Sequence, residues 1–168
     1  MWKRPICLCL HPVTRHELIP ARGTYALLLS LSAPAAISVG RLGDHPIPRG
    51  FYLYIGSALG PGGILARLAR HSLLEKKRHW HIDYLRPAAL LEQAWVMASN
   101  ARAECHWAAA ANGLPQSTTP IPRFGASDCH CPAHLFHFPA RPSAEHFAAM
   151  VGIPSEHLEI IEYRGQRA

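Results

Sequence analysis

The stretch that decides the fold is Gly50-Phe51-Tyr52-Leu53-Tyr54-Ile55-Gly56-Ser57-Ala58. Apolar and aromatic residues run together there between two glycines, which predicts a buried strand entered and left by tight turns. Gly56 has no side chain, so it leaves room for another backbone or a ligand to come close. A glycine and proline cluster at 59–63 ends the strand, and the helical pattern after it carries Arg67, Arg70 and His71. A hydroxyl at the end of a strand then faces cations on the next helix, which suits an anionic substrate.

The composition describes a globular chain with an excess of positive charge. The 168 residues are enough for one domain with a substantial core, and 49% of them are hydrophobic, which argues against disorder. Lysine and arginine number 17 against 11 acidic residues, and the resulting net charge of +6 favours a polyanionic partner. No apolar run approaches the roughly 20 residues that span a bilayer, so we expect no membrane insertion. The five cysteines are an odd number that does not suit a disulfide framework, which predicts a reduced, cytoplasmic protein.

Proline and glycine divide the chain into three parts. Residues 1–21 are predicted to be an irregular extension, residues 22–138 the main domain, and residues 139–168 a C-terminal extension packed on or beside it. Residues 44–49, with Pro46 and Pro48, are predicted to form a loop, and such short connections favour antiparallel pairing. Apolar runs predict strands at 23–31, 37–40, 51–57, 94–97, 134–138 and 158–163. Helical patterns predict helices at about 63–74, 103–111 and 143–151.

Two triplets carry a family resemblance. Gly23-Thr24-Tyr25 and Tyr54-Ile55-Gly56 lie on two apolar strands, and a helical Arg67 and a helical Glu104 follow them. In this order the residues resemble the GIY-YIG nuclease superfamily, with Thr24 where the family name has Ile. The segments 80–85, 104–105 and 124–129, before His134-Leu135, are similar to its Uri-type branch, formerly a domain of unknown function. The resemblance covers about residues 22–138. The stretch between the triplets is longer than is usual, and the extra segment at 37–39 is expected to fill it.

The resemblance implies a fold and an activity. The implied fold is α+β, of the two-layer type, with a small antiparallel sheet of about three core strands flanked by helices. The implied activity is hydrolysis of a DNA phosphodiester by an endonuclease in DNA repair or in structure-specific cleavage. One divalent cation, Mg²⁺ or Mn²⁺, would be held by Glu104. By analogy Tyr25 is the general base and Tyr54 orients it.

The residues themselves favour chemistry with one metal ion. Two-metal nucleases need several clustered carboxylates, whereas this chain has three aspartates and an isolated Glu104. Arg67 would bind the non-bridging phosphate oxygens with its planar guanidinium. Either Tyr25 or Tyr54 would take a proton from water, which requires a pKa lowered by Arg67 and by a metal-bound water. His71 or His81 would relay protons.

A group of charged residues close to the first helix is predicted to support this site. Arg70, Lys76, Lys77 and Arg78 are predicted to contact DNA phosphates. Asp83 is predicted to support the site indirectly, by orienting His79 or His81.

A second candidate site is rich in sulfur. The spacing Cys129-x-Cys131-x-x-His134 suggests soft-metal ligands, with Cys105 as a fourth and zinc as the metal. Free thiols explain the same residues equally well, and Ser127 or Asp128 can instead be the polar residue that closes the family's active cleft. Two alternatives to a nuclease therefore stay open. One is a non-catalytic, zinc-stabilised nucleic-acid-binding module, and the other is an adaptor for a DNA-repair protein that docks through residues 140–168.

Overall fold

The computed structural model describes residues 21–163. The predicted extension at 1–21 therefore lies almost wholly outside the described residues, as does the end of the chain at 164–168. The strands are β1 (Gly23–Leu31), β2 (Ala35–Ser38), β3 (Asp44–Ile47), β4 (Gly50–Ser57), β5 (Leu90–Ala98), β6 (Leu135–Phe138) and β7 (Glu159–Glu162). The helices are α1 (Gly63–Ser72), α2 (Ile82–Leu85), α3 (Glu104–Gly113) and α4 (Ala144–Val151), with 3-10 turns at Gly40–Leu42 and Ser155–His157. None of the described helices is long and apolar enough to cross a membrane.

One antiparallel sheet forms the centre of the molecule. Its five strands lie in the order β6-β4-β1-β5-β7, and every neighbouring pair is antiparallel. The predicted α+β class, with an antiparallel sheet flanked by helices, is confirmed. The sheet is wider than three strands because β6 adds to the outer side of β4 and the C-terminal β7 pairs with β5.

The pairing of β1 with β4 decides which side chains share a face. Tyr25 lies opposite Gly56, and Leu27 lies opposite Tyr54. Since side chains alternate along a strand, both tyrosines point to the same face of the sheet as diagonal neighbours. That face is covered by α1 and α2, which contribute Ile64, Leu68, Ile82 and Leu85. The opposite face is covered by α3 and α4, which contribute Trp107, Ala111, Phe147 and Val151.

The stretch between β1 and β4 forms a separate two-stranded hairpin of β2 and β3. The prediction of a loop at 44–49 is wrong for its first four residues, because Asp44–Ile47 is a strand that pairs with β2. Pro46 fits there because a two-stranded sheet consists of edge strands, which tolerate a residue without an N–H donor. Ile37, Val39 and Ile47 are buried in the main core, so the hairpin is fixed to the body of the domain.

Candidate functional site

Tyr25 and Gly56 form the centre of the site. A Cβ atom added to Gly56 would lie 2.4 Å from both Cζ and Oη of Tyr25, so the phenol ring occupies the space above this glycine. Any larger residue at position 56 would displace the ring. The register of β1 and β4 and the missing side chain together fix where the Tyr25 hydroxyl lies.

His71 is the hydrogen-bond partner of that hydroxyl. Its Nε2 lies 2.8 Å from Oη of Tyr25, and the imidazole tautomer decides which atom donates. The His71 ring also meets Tyr54 edge-on, with 6.3 Å between ring centroids. His71 is fully buried, and this burial, reinforced by Lys76, lowers its pKa to about 3. The imidazole is therefore neutral at physiological pH.

Arg67 lies one helical turn before His71 and stacks on Trp80. Its guanidinium carbon is 4.4 Å from the centroid of the Trp80 ring, and that of Arg70 is 4.7 Å away. The Trp80 ring also contacts His71, at 5.6 Å between centroids. Cation–π attraction holds both guanidinium groups at the indole. Trp80 thus contacts three predicted site residues, a role that the sequence analysis did not assign to it.

The protonation of the two tyrosines differs from the prediction. Burial raises the pKa of Tyr25 and of Tyr54 above the ordinary value for a phenol, and the nearby Arg67 lowers it by less than burial raises it. Arg67 thus acts in the predicted direction, but burial outweighs it and the net shift of both pKa values is upward in the protein without bound metal or substrate. Both phenols are neutral, and Tyr25 faces a neutral imidazole that can exchange a hydrogen bond with it.

Asp83 gathers several of the predicted DNA-binding cations. Its buried carboxylate pairs with Arg70 at 2.8 Å and with Lys76 at 3.0 Å, and it accepts hydrogen bonds from the backbone N–H groups of His79 and Trp80. Burial acts to raise the pKa of Asp83, but these hydrogen bonds and Lys76 outweigh it and hold the pKa below its ordinary value. Asp83 thus contacts His79, as predicted, through the backbone N–H, and it holds the backbone of Trp80 in the same way.

The four predicted phosphate contacts are placed differently from one another. The side chain of Lys76 is only 5% exposed, and its Nζ also donates to the Arg70 carbonyl. Its ammonium group is therefore paired inside the protein, which does not support the predicted phosphate contact of Lys76. Arg70 is partly exposed at 29%. Lys77 and Arg78 are exposed.

The loop at 123–134 lies against the tyrosines. The backbone N–H of Gly125 donates to Nδ1 of His81 at 2.9 Å, which fixes the tautomer of His81 with its proton on Nε2. Burial lowers the pKa of His81. Gly125 has a φ of 75°, and an added Cβ atom would lie 3.0 Å from both Cε2 of Tyr54 and Cβ of His134. Only glycine fits this contact, and positive φ is a property that the sequence analysis did not assign to position 125.

The predicted sulfur site is assembled from three segments. Cys105 comes from α3, Cys129 and Cys131 from the loop, and His134 from the residue before β6. Their ligand atoms all lie within 4.8 Å of one another, and Sγ of Cys129 is 3.4 Å from Nε2 of His134. Burial and the neighbouring thiols raise the pKa of Cys131 to about 12. This Cys₃His cluster could bind a metal ion.

Glu104 lies next to the Cys₃His cluster. It precedes Cys105 in α3, and its charge counteracts the burial that lowers the pKa of His134. Its Oε2 is buried and has no hydrogen-bond partner among the described residues. A buried carboxylate oxygen without a partner suits a cation ligand, since leaving it unpaired costs free energy. The structure therefore groups Tyr25, Tyr54, Arg67 and His71, places Glu104 with the cysteines, and puts Gly125 against both Tyr54 and His134.

The architecture defines an α+β domain with a buried Tyr–His pair and a candidate Cys₃His metal centre. The sequence model of the family described as "Domain of unknown function DUF123" matches residues 24–153, so the chain belongs to that family. Neither the curated proteins nor the solved structures contain a match to this chain.

Proposed function

We propose that the chain is a metal-dependent DNA endonuclease of the GIY-YIG type, similar to the Uri-type branch, that hydrolyses phosphodiester bonds. The observation that carries this proposal is the meeting of Tyr25, Tyr54, His71 and Arg67 at one place. Four residues from three separate elements converge there, and the ordered motifs single out three of them, Tyr25, Tyr54 and Arg67. A structural Tyr–His pair needs no arginine beside it, whereas a guanidinium is well suited to bind a phosphate.

The protein groups divide the work of hydrolysis. Arg67 binds the non-bridging oxygens, and its contact strengthens as charge builds on the phosphate. Tyr25 takes a proton from the attacking water while it passes its own proton to His71, 2.8 Å away. In the protein without substrate, burial disfavours both the phenolate of Tyr25 and the cation of His71, so the relay relies on the negative charge of the bound phosphate to favour the imidazolium. Tyr54 contacts His71 edge-on and helps to hold the pair in place.

Glu104 is the residue that would hold the divalent cation. Its unpartnered, buried Oε2 fits the role, and Mg²⁺ accepts one or two carboxylates together with waters and phosphate oxygens. When bound, Mg²⁺ or Mn²⁺ supplies a Lewis acid that stabilises charge on the phosphate.

The Cys₃His cluster would take zinc as a structural ion. Three thiolates and one imidazole are a typical tetrahedral zinc set. The cluster ties the loop at 123–134 to the start of α3, and therefore ties Gly125 and Tyr54 to Glu104. Reduced thiols of this kind suit the cytoplasm.

The deciding experiment compares Glu104→Gln with Glu145→Gln. Both glutamates lie in the first turn of a helix, and Glu145 is exposed on α4. We expect Glu104→Gln to lose at least about 10³-fold in single-turnover cleavage while it still binds DNA, and Glu145→Gln to cleave normally. The substrates are labelled single-stranded, duplex, flap and junction DNAs, with Mg²⁺, with Mn²⁺ and with chelator. Wild-type rates in Glu104→Gln, or wild-type activity that survives chelation, would contradict the proposal.

A second candidate function is a zinc-stabilised nucleic-acid-binding module without catalysis, favoured by the proximity of the four ligand atoms. The same panel separates the two functions. Folded wild-type protein with one zinc per chain that binds DNA and cleaves none of the substrates would establish the module. Tyr25→Phe adds a second criterion, because a large loss of rate at an unchanged melting temperature marks chemistry and not stability.

A further inference from the structure

A basic groove runs between the β2–β3 hairpin and the segment around α2. Tyr84 lines both halves of the groove, which form clefts of about 330 and 540 Å³. The hairpin supplies Ala36–Ser38 to the smaller cleft and Gly40–Leu42 to the larger one. The segment that lengthens the spacing between the two triplets therefore builds one wall of this groove.

The charge of the lining is of one sign. Arg78 lines the smaller cleft, and Arg41, Arg123, His79 and His81 line the larger one. No acidic side chain is found among the residues, all within the described part of the chain, that line either cleft. Arg41 and Arg123 are exposed, and they approach the cleft from the hairpin and from the loop at 123–134 respectively. Guanidinium groups on opposite walls suit successive phosphates of a polyanion.

The shape of the groove favours an unpaired strand over a duplex. Both cleft volumes fall at the lower end of the roughly 300–1,000 Å³ that hold a small organic ligand, so each suits a nucleotide-sized group. Tyr84 separates them, and the guanidinium of Arg78 lies over its ring at 4.9 Å. Aromatic rings and arginine planes are the surfaces on which unpaired bases stack. A duplex keeps its bases inside its own stack and cannot place them in these clefts.

The groove is connected with the tyrosines. His81 lines the larger cleft and is hydrogen-bonded to the N–H of Gly125, which in turn packs against Tyr54. A strand that contacts His81 in the groove is therefore connected with the Tyr25–Tyr54 site through His81 and Gly125.

We infer that this groove binds one unpaired DNA strand and leads it to the tyrosine site. The phosphates of the strand contact Arg41 and Arg123, and a base stacks at Tyr84. This inference rests on the proposed function and names its substrate class, which is DNA with a single-stranded segment.

The test measures binding without cleavage, by fluorescence anisotropy with no divalent cation added. The probes are a labelled oligothymidine of about 12 nucleotides, within the length that one such groove covers, and a duplex of equal length. The variant Arg41→Gln/Arg123→Gln removes both guanidinium groups and keeps most of each side-chain stem. Arg123 has a φ of 64°, and its guanidinium also donates to the Cys131 carbonyl, so the folding of this variant has to be checked. Arg49→Gln/Arg102→Gln removes the same charge at two exposed positions that line neither cleft and serves as the control. Melting temperatures check that every variant is folded.

We expect Arg41→Gln/Arg123→Gln to weaken single-strand binding by at least about tenfold and to reduce the log–log salt slope by about 1.4, or 0.7 per phosphate. The single-strand affinity of the control variant should stay within about twofold of the wild-type affinity, because its arginines contribute only non-specific attraction. Tyr84→Leu should weaken binding of the single strand and leave duplex binding unchanged. Equal affinities of the two double variants would contradict the proposal that the groove binds DNA. Tighter binding of the duplex, with the same dependence on Arg41 and Arg123, would show that the groove binds a duplex and not an unpaired strand.

The two proposals fail in different ways. If the wild type cleaves none of the DNA panel but single-strand binding depends on Arg41 and Arg123, the groove proposal is supported and the nuclease proposal is contradicted. If cleavage requires Glu104 but the groove variants bind like the control, the nuclease proposal is supported and the groove proposal is contradicted.

Discussion

The tyrosine site (Tyr25, Tyr54, Arg67 and His71) and the Cys₃His cluster both adjoin Gly125, but different forces organise them. The tyrosine site is built by strand register and one helix, and its central hydrogen bond joins two buried side chains. Packing alone completes it, as happens for side chains fixed between a sheet and a covering helix.

The Cys₃His cluster is built by a loop and a helix start. Its four ligand atoms lie within 4.8 Å of one another, and burial together with the neighbouring thiols raises the pKa of Cys131. The four ligand atoms lie close enough together for one metal ion to bind them all. The folded chain alone therefore completes the first site, whereas a bound ion could add to the stability of the second.

The largest expected effect therefore belongs to the Cys₃His cluster. Removing zinc with a selective chelator should lower the melting temperature by more than about 10 °C, because structural zinc contributes folding free energy directly. His134→Ala should reproduce the loss, and His130→Ala, an exposed neighbour in the same loop, should not. Metal analysis and scanning calorimetry measure both quantities. Protein that folds cooperatively without zinc and ignores the chelator would show that the cysteines are free thiols.

The sequence predicts the core strands well because their signals are local. Runs such as 23–31 and 51–57 are apolar enough to be strands in any globular context, and the stretch between β1 and β4 has no helical pattern for a parallel crossover, which favours antiparallel pairing. The strand at 44–47 could not be predicted, because Pro46 within it and Pro48 after it indicate a loop. Among residues 21–163 its strand partner is the short β2 alone. Pairing with so short a strand depends on the tertiary structure and leaves no local signal in the sequence.

The candidate site is predictable in its members but not in its energetics. The order of Tyr25, Tyr54 and Arg67 identifies residues that gather around His71 and Trp80. Glu104, the fourth residue of that order, lies instead beside His134 and the cysteines. Burial decides the rest, and burial is set by distant parts of the chain. It raises the pKa of both tyrosines, and it encloses Lys76 at Asp83 while Lys77, the next residue, stays exposed.

The next largest effect tests whether packing alone holds the tyrosine site. Gly56→Ala inserts a methyl group 2.4 Å from the Tyr25 ring and should cost about 1–3 kcal/mol of unfolding free energy. Gly60→Ala is the matched control, because its methyl would meet only Nη2 of Arg67 at 3.5 Å, an ordinary contact. Urea unfolding of both variants measures the difference. Equal stabilities would mean that the Tyr25 ring moves freely and is not fixed by the register.

A smaller effect depends on pH and concerns His71. The unfolded chain protonates this histidine near its ordinary pKa of 6.5, whereas the folded protein resists protonation down to about pH 3. Stability is therefore full above about pH 6.5 and falls as the pH decreases, by about 1.4 kcal/mol per pH unit within this window. His71→Gln should remove that part of the acid sensitivity, and His146→Gln, an exposed position on α4, should keep it. Urea unfolding between pH 7 and pH 5 gives both slopes, and identical slopes in wild type and His71→Gln would show that His71 is protonated in the folded state.

The smallest effect separates two neighbouring lysines of equal charge. Lys77 is exposed, so Lys77→Ala should reduce the log–log salt slope of DNA binding by about 0.7–0.9, the share of one phosphate contact. Lys76 is 5% exposed and paired with Asp83, so Lys76→Ala should leave that slope unchanged and instead lower the melting temperature, since it removes a partner of a buried carboxylate. Anisotropy titrations over a range of salt, with calorimetry on the same samples, measure both responses. If Lys76→Ala changes the slope as much as Lys77→Ala, the ion pair with Asp83 opens when DNA binds. Lys76 would then belong to the interface that the sequence predicted.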